Sequence, residues 1–423
     1  MNVRTWAPVL VASVFLVALN LRPALTSVGP LLPQIGAEEG LTEGTQGLLG
    51  ALPLLAFAAI SPLVQHPARR FGVERTLLAA LVVLAIGTAL RSGSGAAGLW
   101  IGTAVAGCAI AIGNVLVPTV VKRDYRDHVS LATGVYSACI TVGASIASAV
   151  AVPLSHAWGW RGALAFWAIP ALVVVVLWLP RAWHGGPVAE PAPAHPHAAV
   201  SVWRQPTAWL VTAFMGLQST TFYVMVTWFP TVEIAAGVPA EQAGVHLFVY
   251  QMVGVASGLA IPRLLKRGDD QVAAAVTASV PMVVGVIGLV LLPAWSVVWA
   301  VIAGLGTGAS LVVALTLISL RGHGQHGTTR LSGMAQSLGY LLAAVGPVLA
   351  GYLAEHTGSW TASLVLVGVL GAVQVVVAFA VGRVPSLPPR ADQEEVRGNP
   401  DGSGPGDGQA GVRKGKSAVR GEQ

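Results

Sequence analysis

The feature that most constrains the fold is a succession of twelve apolar runs, most of them long enough to cross a lipid bilayer as a helix. A spanning helix needs about 20 mostly apolar residues, because every backbone polar group must be satisfied within the hydrocarbon. Charged residues make up 10% of the chain, far below the share of about 25% in soluble domains. The pattern therefore predicts an all-α polytopic membrane protein with twelve transmembrane helices.

The runs lie at residues 8–32, 47–65, 76–90, 99–121, 131–154, 162–179, 207–230, 243–265, 271–292, 296–319, 331–354 and 361–382. A Pro-, Ala- and His-rich stretch without apolar periodicity separates the sixth run from the seventh, and a polar Gly/Pro-rich stretch follows the twelfth. We predict an N-terminal six-helix half at 1–180, a cytoplasmic linker at 181–205, a C-terminal six-helix half at 206–383 and a disordered cytoplasmic tail at 384–423.

Landmark residues recur between the two halves at a nearly constant spacing. Three of them return 197 positions later, as Pro33 and Pro230, Gly40 and Gly237, and Gly47 and Gly244. Three more return 200 positions later, as Leu131 and Leu331, His156 and His356, and Trp160 and Trp360. Because six is even, the halves share one orientation, and in such folds the substrate site lies near the midplane between repeats that rock against each other.

Lys and Arg residues are concentrated in the loops on one side of the predicted membrane. The exceptions are Arg91 and Arg161, expected on the opposite side, and Arg22 within the first run. This positive-inside pattern predicts a bacterial cytoplasmic membrane protein with both termini in the cytoplasm. The net charge of +6 therefore reflects topology rather than nucleic acid binding. A cleaved signal peptide is disfavoured, since the apolar run resumes after Arg22 and no small-x-small site precedes it.

Arg22 stands deep within the first run, where burial of its charge costs at least ~2.5–3.5 kcal/mol. Pro23 follows it directly, and Pro30 and Pro33 come after, so backbone carbonyls are freed nearby. We predict a broken, cavity-lining helix in which Arg22 binds an anionic or strongly polar ligand. The alternative, a structural arginine satisfied by the carbonyls freed near Pro23, stays open.

Other polar side chains within the runs are further candidates for substrate binding: Asn20, Thr26, Asn114, Gln218, Ser219, Tyr223, Tyr250, Gln251, Gln336 and Tyr340. Asn20 and Thr26 share a helical face loosely with Arg22 and would orient it. Gln218 and Ser219 occupy the equivalent position of the seventh run, so the expected cavity is asymmetric and net positive. For Gln218, Ser219 and Tyr223 the alternative is neutral packing, and for Asn114 it is an interhelical hydrogen bond.

Four motifs carry a resemblance to the major facilitator superfamily, specifically to its cyanate and nitroimidazole transporter branch. They are Asn20-Leu21-Arg22-Pro23-Ala24-Leu25-Thr26, Arg69-Arg70-Phe71-Gly72-x-Glu74-Arg75, Gly113-Asn114-Val115-Leu116-x-Pro118 with Lys122-Arg123-Asp124, and Gly216-Leu217-Gln218-Ser219 with Trp228-Phe229-Pro230. The resemblance covers the chain to about residue 383. It implies a twelve-helix facilitator that moves a small solute.

The resemblance also implies a cytoplasmic gate in the loop after the second helix, although the motif there is altered. The superfamily has Asp-Arg-x-Gly where this chain has Arg69-Arg70-Phe71-Gly72, and Glu74 could supply the missing carboxylate. The gate residues predicted from the resemblance are Arg69, Arg70, Gly72, Glu74, Arg75 and Lys122. For Lys122, Arg123 and Arg126, anchoring by the positive-inside rule is the favoured interpretation.

The 18 Asp and Glu residues all fall in loops, at helix ends or in the tail. This distribution favours anionic or neutral polar solutes over cations. It leaves a coupled proton without an obvious carrier, with His246 as an open candidate for a relay. We predict a secondary transporter of a small cyanate-like or nitroimidazole-like solute that works by alternating access. The alternative is a broad-specificity exporter of neutral lipophilic drugs, which would not need Arg22.

Other classes of function lack the residues they require. An enzyme needs nucleophiles, acids or metal ligands that converge at one depth, and a sensor would usually carry a soluble domain. Cys108 and Cys139 lie in separate runs, and the histidines at 184, 195, 197, 323 and 326 lack acidic or Cys partners. We therefore expect no cofactor and no metal site. The expected partners are a small-molecule substrate and the bilayer, without nucleic acid, and a monomer is compatible with the sequence.

Overall fold

The computed structural model describes residues 3–93, 95–125, 128–184, 202–265, 270–322 and 324–384. Every regular element in these residues is helical. The principal helices are α1 Val3–Asn20, α2 Glu43–Ile60, α3 Val73–Gly93, α4 Gly95–Asp124, α5 Val129–Ala165, α6 Ala168–His184, α7 Pro206–Ala235, α8 Ala240–Ala260, α9 Val272–Leu291, α10 Ser296–Arg321, α11 Gly324–Thr357 and α12 Thr361–Gly382.

Eleven helical segments of the described chain are long and apolar enough to cross a membrane, as judged by length and composition. The shorter apolar α6 supplies the twelfth. The prediction of an all-α fold with twelve transmembrane helices is therefore confirmed. The boundaries proposed for the halves, the linker and the tail stay predictions, and residues 185–201 and 385–423 lie outside the described part of the chain.

The first span is broken where the sequence predicts it. α1 ends at Asn20, and the chain continues through the short helices Pro23–Thr26, Gly29–Leu31 and Leu32–Glu39. Pro23 has no N–H to continue the α-helical ladder. A few residues on, the Val28 amide bonds to the Leu25 carbonyl, so the Ala24 carbonyl is left available to another donor.

A corner in the chain separates the fifth predicted run from the sixth. α5 contains a corner at Gly159, whose φ of 67° and ψ of 169° are not helical. Gly159 lies in the left-handed φ region that glycine enters without steric cost. Residues after the corner are helical up to Ala165, which includes the predicted start at residue 162, and α6 continues the run from Ala168.

The two predicted halves pack along three helix pairs: α2 with α11, α5 with α8, and the Gly29–Leu31 turn with α7. We call the end of the bundle that carries the α1–α2, α5–α6 and α7–α8 connections the outer end, following the charge distribution, and the opposite end the inner end. Glycines allow the close approach. A Cβ on Gly47 would stand 3.0 Å from the Cα of Val348, and one on Gly244 would stand 2.8 Å from the Ser148 carbonyl oxygen.

Polar contacts also join the halves near the outer end. The Gly44 amide donates to Glu355 at 3.0 Å, and His156 lies 3.1 Å from Glu241. Toward the inner end, by contrast, the space beside Gly134 of α5 and Gly333 of α11 is open within 4 Å of a built Cβ. The two halves therefore contact each other directly near the outer end, through close backbone approaches and polar bonds.

Candidate substrate site

Arg22 is held at the break in the first span, and its side chain reaches from there to α7. Its Nη1 donates to the Tyr223 hydroxyl at 2.9 Å, and the guanidinium carbon lies 5.6 Å from the centre of the Tyr223 ring. The side chain keeps partial exposure, and its Nε is buried without a hydrogen bond. The contact with α7 places the arginine between the two halves.

Aromatic rings surround this arginine. Tyr136 of α5 and Tyr340 of α11 lie near the guanidinium, and the Tyr223 and Tyr340 rings are 6.4 Å apart. Phe57 of α2 meets Tyr340 edge-on at 5.6 Å. We call Arg22, Tyr136, Tyr223 and Tyr340 the arginine–tyrosine cluster; it draws on α5, α7, α11 and the break after α1.

The cluster is net positive. Within the described residues, no carboxylate forms an ion pair with Arg22, and its hydrogen-bonding partner is a neutral phenol. A desolvated guanidinium with a free donor favours an anion or an electron-rich edge. Phenol rings around it would stack on a planar ligand, so the cluster has the chemistry to bind a small planar or anionic solute.

Gln218 and Ser219 lie on α7, one turn from Tyr223, but they satisfy each other. The Gln218 amide nitrogen donates to the Ser219 hydroxyl at 2.7 Å and to the Met215 carbonyl at 3.2 Å. Both side chains are buried. They lie close to the cluster, and a role in direct binding stays a prediction.

Asn20 and Thr26 are used by the backbone around the break. The Asn20 amide donates to the Leu16 carbonyl at 2.9 Å. The Thr26 hydroxyl is buried and lies 2.9 Å from the Ala144 carbonyl and 3.2 Å from that of Arg22. The structure therefore gives these side chains helix-capping and interhelical contacts and does not bring them to the guanidinium.

Tyr250 and Gln251 of α8 belong to the packing between α5 and α8. Gln251 donates to the Ser148 hydroxyl at 3.0 Å. Tyr250 is fully buried, with its ring centre 6.4 Å from that of Phe222 and 6.5 Å from that of Phe229. Gln251 thus helps to join the halves, and Tyr250 supports the aromatic side chains behind Tyr223.

Asn114 and Gln336 differ in their hydrogen bonding. Gln336 donates to Ser332 on its own helix at 2.8 Å, one turn away from Tyr340. Asn114 follows Gly113, where a Cβ would collide with the Leu21 side chain, so this part of α4 lies against the break. The Asn114 amide nitrogen is buried without a hydrogen bond, so its N–H groups are available to a ligand.

Sequence reasoning missed Tyr136. Tyr136 lies 200 positions before Gln336, so the two residues occupy equivalent positions in the two halves. Gln336 was among the predicted substrate-binding residues. Applying the repeat to every candidate would have found Tyr136.

A second arginine, Arg91, was expected at the outer surface, and the structure corrects this expectation. α3 runs three residues beyond its predicted end, so Arg91 falls in the last helical turn, where it is 2% exposed. Its Nη1 donates to the Ala24 carbonyl at 2.5 Å, the carbonyl that the break leaves available. Arg91 also lines a cavity of about 20 Å³ between the break, α2, α4 and α7.

Two of the predicted gate residues, Glu74 and Arg75, bond to neighbouring helices at the inner end. Glu74 pairs with Arg123 at 2.5 Å, Asp124 pairs with Arg181, and Arg75 donates to the Ala182 carbonyl at 3.3 Å. These contacts join α3, α4 and α6 at the inner end. Gly72 ends the preceding short helix with φ of 90°, which favours glycine.

The remaining gate candidates, Arg69, Arg70 and Lys122, are exposed. Glu74 therefore bonds to Arg123, which sequence reasoning treated as an anchor, rather than to Lys122. Arg126 lies outside the described residues.

In the second half, a glutamine takes the place of the glutamate of the Glu74–Arg123 ion pair. Gln271 stands 197 positions after Glu74, and Arg321 donates to its Oε1 at 2.6 Å. Arg321 is buried, and its Nε and Nη1 make no hydrogen bond. The amide thus replaces the carboxylate of the first half and leaves the arginine's charge unbalanced.

Twelve membrane helices around an internal cationic and aromatic cluster define a polytopic membrane transporter of small solutes. The sequence comparisons agree: residues 13–344 match the profile of the Major Facilitator Superfamily. The chain belongs to this superfamily, in its cyanate and 2-nitroimidazole transporter branch.

Two curated relatives and one solved structure illustrate the likeness. The chain is 40% identical over 376 residues to the 2-nitroimidazole transporter of Escherichia coli (strain K12), which covers 89% of this chain and 95% of that protein. It is 29% identical over 383 residues to the cyanate transport protein CynX of the same organism, covering 88% and 97%. A bacterial homolog of the human lysosomal transporter Spinster, solved in an inward-facing and occupied conformation, has a similar fold, with a TM-score of 0.72 at 16% identity over 90% of this chain and 98% of that one.

Proposed function

We propose that this protein is a secondary transporter that moves a small anionic or polar planar solute across the bacterial cytoplasmic membrane by alternating access. Both termini would lie in the cytoplasm. The solute would be cyanate-like or nitroimidazole-like, with its negative or electron-rich edge at Arg22. Tyr136, Tyr223 and Tyr340 would enclose its faces.

The observation that carries this proposal is the environment of Arg22. The guanidinium is held between the halves by a neutral phenol, and no carboxylate in the described chain neutralises it. Retaining such a charge within a membrane is costly unless a ligand or solvent compensates it. The Ala24 carbonyl freed by the break is taken by Arg91, which weakens the view that Arg22 is only a backbone cap.

The named substrates of the relatives fit the same chemistry. Cyanate is a small anion, and a 2-nitroimidazole is a planar ring with an electron-rich nitro group. Both could accept hydrogen bonds from a guanidinium and pack against phenol rings. The direct contacts between the halves at the outer end are what alternating access requires of a state that is closed to the outside.

Thermal unfolding of the detergent-purified protein with a ligand panel tests the proposal. The panel contains cyanate, nitrate, 2-nitroimidazole and a lipophilic cationic dye. A ligand that binds only the folded state stabilises it, by about 2.7 kcal/mol when its free concentration is a hundred times its Kd. This stabilisation is observed as a higher melting temperature. We expect cyanate or 2-nitroimidazole to stabilise the wild type and Arg22→Gln to lose that response.

The matched control is Arg263→Gln, which removes an exposed arginine at the inner end. It should respond as the wild type does. Equal ligand responses in Arg22→Gln and wild type, or stabilisation by the dye alone, would contradict the proposal and favour a broad exporter of lipophilic drugs.

A further inference from the structure

A buried carboxylate and an imidazole form a pair near the outer end of the second half. Glu233 lies two residues before the end of α7, yet it is 1% exposed. Its Oε1 is 2.7 Å from Nδ1 of His246 on α8, and its Oε2 is buried without a hydrogen bond. The His246 side chain is 19% exposed, so the pair has one buried member and one that reaches the surface.

No other charged group in the described chain neutralises Glu233. Ser296, at the start of α10, lies beside the carboxylate and carries no charge. On α11, Glu355 is bonded to the Gly44 amide, and on α8, Glu241 is paired with His156. Glu38 and Glu39, at the end of the first span, pair with Arg161. Within the described residues, His246 is therefore the side chain that can place a positive charge beside Glu233.

The pair ties together two helices that seal the outer end. On α7, Val226 and Thr227 face Gly29 so closely that a Cβ there would stand 3.2 Å from the Thr227 carbonyl oxygen. On α8, Glu241 makes the ion pair with His156 of the first half. The Glu233–His246 pair therefore joins the two helices that carry these contacts with the first half.

We propose that Glu233 and His246 form the proton-binding site of this transporter, filled from the outer side and coupled to closure of the outer end. With one shared proton, Nδ1–H of the neutral imidazole donates to the Glu233 carboxylate. A second proton enters through the partly exposed imidazole and binds at Nε2, which gives an imidazolium–carboxylate ion pair. That ion pair fixes the outer parts of α7 and α8 in the arrangement that contacts Gly29 and His156 of the first half, so proton uptake favours the closed outer end. The inference depends on the protein being a transporter and not on which solute it carries.

Distance measurements between two spin labels at the outer end test this coupling without any substrate. The labels are attached to Ala37→Cys, after the first span, and Ala294→Cys, between α9 and α10, both exposed, with Cys108 and Cys139 replaced by serine. The full-length chain is reconstituted in liposomes and compared across about pH 5 to 8, where histidines titrate. Acidification should increase the population with the short distance.

Three variants separate this pair from other histidines. Glu233→Gln keeps the shape but removes the charge, and His246→Asn removes the imidazole while Glu233 remains; each should abolish the pH-dependent shift. His156→Asn removes the other histidine of the outer seal and should retain a shift. An imidazolium infrared signal that grows on acidification of the wild type and is lost in His246→Asn would assign the proton to this site in protein that is folded.

An unchanged shift in both Glu233→Gln and His246→Asn would overturn the proposal, as would a shift that disappears only in His156→Asn. Because no solute is present, a negative ligand panel with an intact pH response would count against the proposed substrate class alone. A positive panel without the pH response would count against the proton site alone.

Discussion

At the scale of single residues, two arginines perform different tasks at one helix break. Arg91 donates to the Ala24 carbonyl and so supplies the hydrogen bond that the helix lost. Arg22 donates to a phenol and keeps a free Nε, so it retains capacity for a ligand. A ligand-binding arginine differs from a structural one in having N–H donors that no protein acceptor occupies.

Tyr223→Phe should weaken ligand binding without removing it. The ring remains over the guanidinium, while the hydroxyl that fixes Arg22 at 2.9 Å is lost. Hydrogen bonds to charged groups contribute about 1.5 kcal/mol or more, which corresponds to roughly tenfold in Kd. Ligand titrations of the purified protein measure this, with Tyr352→Phe on the exposed outer part of α11 as the control. Equal Kd values for Tyr223→Phe and wild type would show that the phenol does not position Arg22.

At the scale of helices, the repeat explains both a likeness and a difference between the halves. Glu74 and Gln271 occupy equivalent positions, and each contacts an arginine near the inner end of the following helix. The first half has an ion pair there, and the second has an amide beside an arginine with two unbonded nitrogens. The inner ends of the two halves therefore differ in electrostatic stability.

Exchanging these two residues should have opposite effects on stability. Glu74→Gln removes the partner of Arg123, whose side chain is partly exposed, and should cost about 1 kcal/mol. Gln271→Glu gives buried Arg321 a counter-charge and should stabilise the fold by a similar ~1 kcal/mol. Thermal unfolding of both variants at one salt concentration measures the difference. Destabilisation by Gln271→Glu would show that burial of the new carboxylate outweighs its pairing with Arg321.

Close packing at the outer end makes a second prediction about helices. Gly47→Ala places a methyl group 3.0 Å from the Cα of Val348, and overpacking of this kind costs about 1–3 kcal/mol. The closed outer end should be disfavoured, and transport in proteoliposomes should fall about tenfold while ligand binding persists.

Gly134→Ala is the matched control, because a Cβ there meets open space. It should transport solute at nearly the wild-type rate. A Gly47→Ala protein as active as Gly134→Ala would show that the approach of α2 to α11 does not limit transport.

At the scale of the whole molecule, the two ends of the bundle differ in charge. The inner end carries Arg69, Arg70, Lys122 and Arg123, all exposed, whereas acidic side chains at the outer end are used in contacts with Arg161, His156 and the Gly44 amide. This asymmetry is the physical basis for placing the inner end in the cytoplasm.

Fusions of alkaline phosphatase test that orientation. The enzyme is active only after export, so a fusion after Gly40 should be active and a fusion after Arg204 inactive. A green fluorescent protein fused to the C-terminus should fluoresce. The reverse pattern in the phosphatase pair would invert the bundle and with it the assignment of the outer end.

The sequence by itself determined the number of spans, the break in the first span and the presence of a buried charge at Arg22. These features follow from local properties, namely the length of apolar runs, the missing N–H of Pro23 and the cost of a charge in hydrocarbon. The nearly constant repeat spacing also predicted two halves of one orientation, and applied further it would have identified Tyr136.

Only the tertiary structure decided which polar residues meet. Thr26 and Arg22 lie four positions apart, yet Thr26 is bound to α5 and Arg22 to α7. Arg91 and Glu233, near the ends of their helices, proved to be buried. The direction of a side chain depends on the rotation of its helix against its neighbours and on where freed carbonyls find donors, and both are set by contacts between residues far apart in the chain.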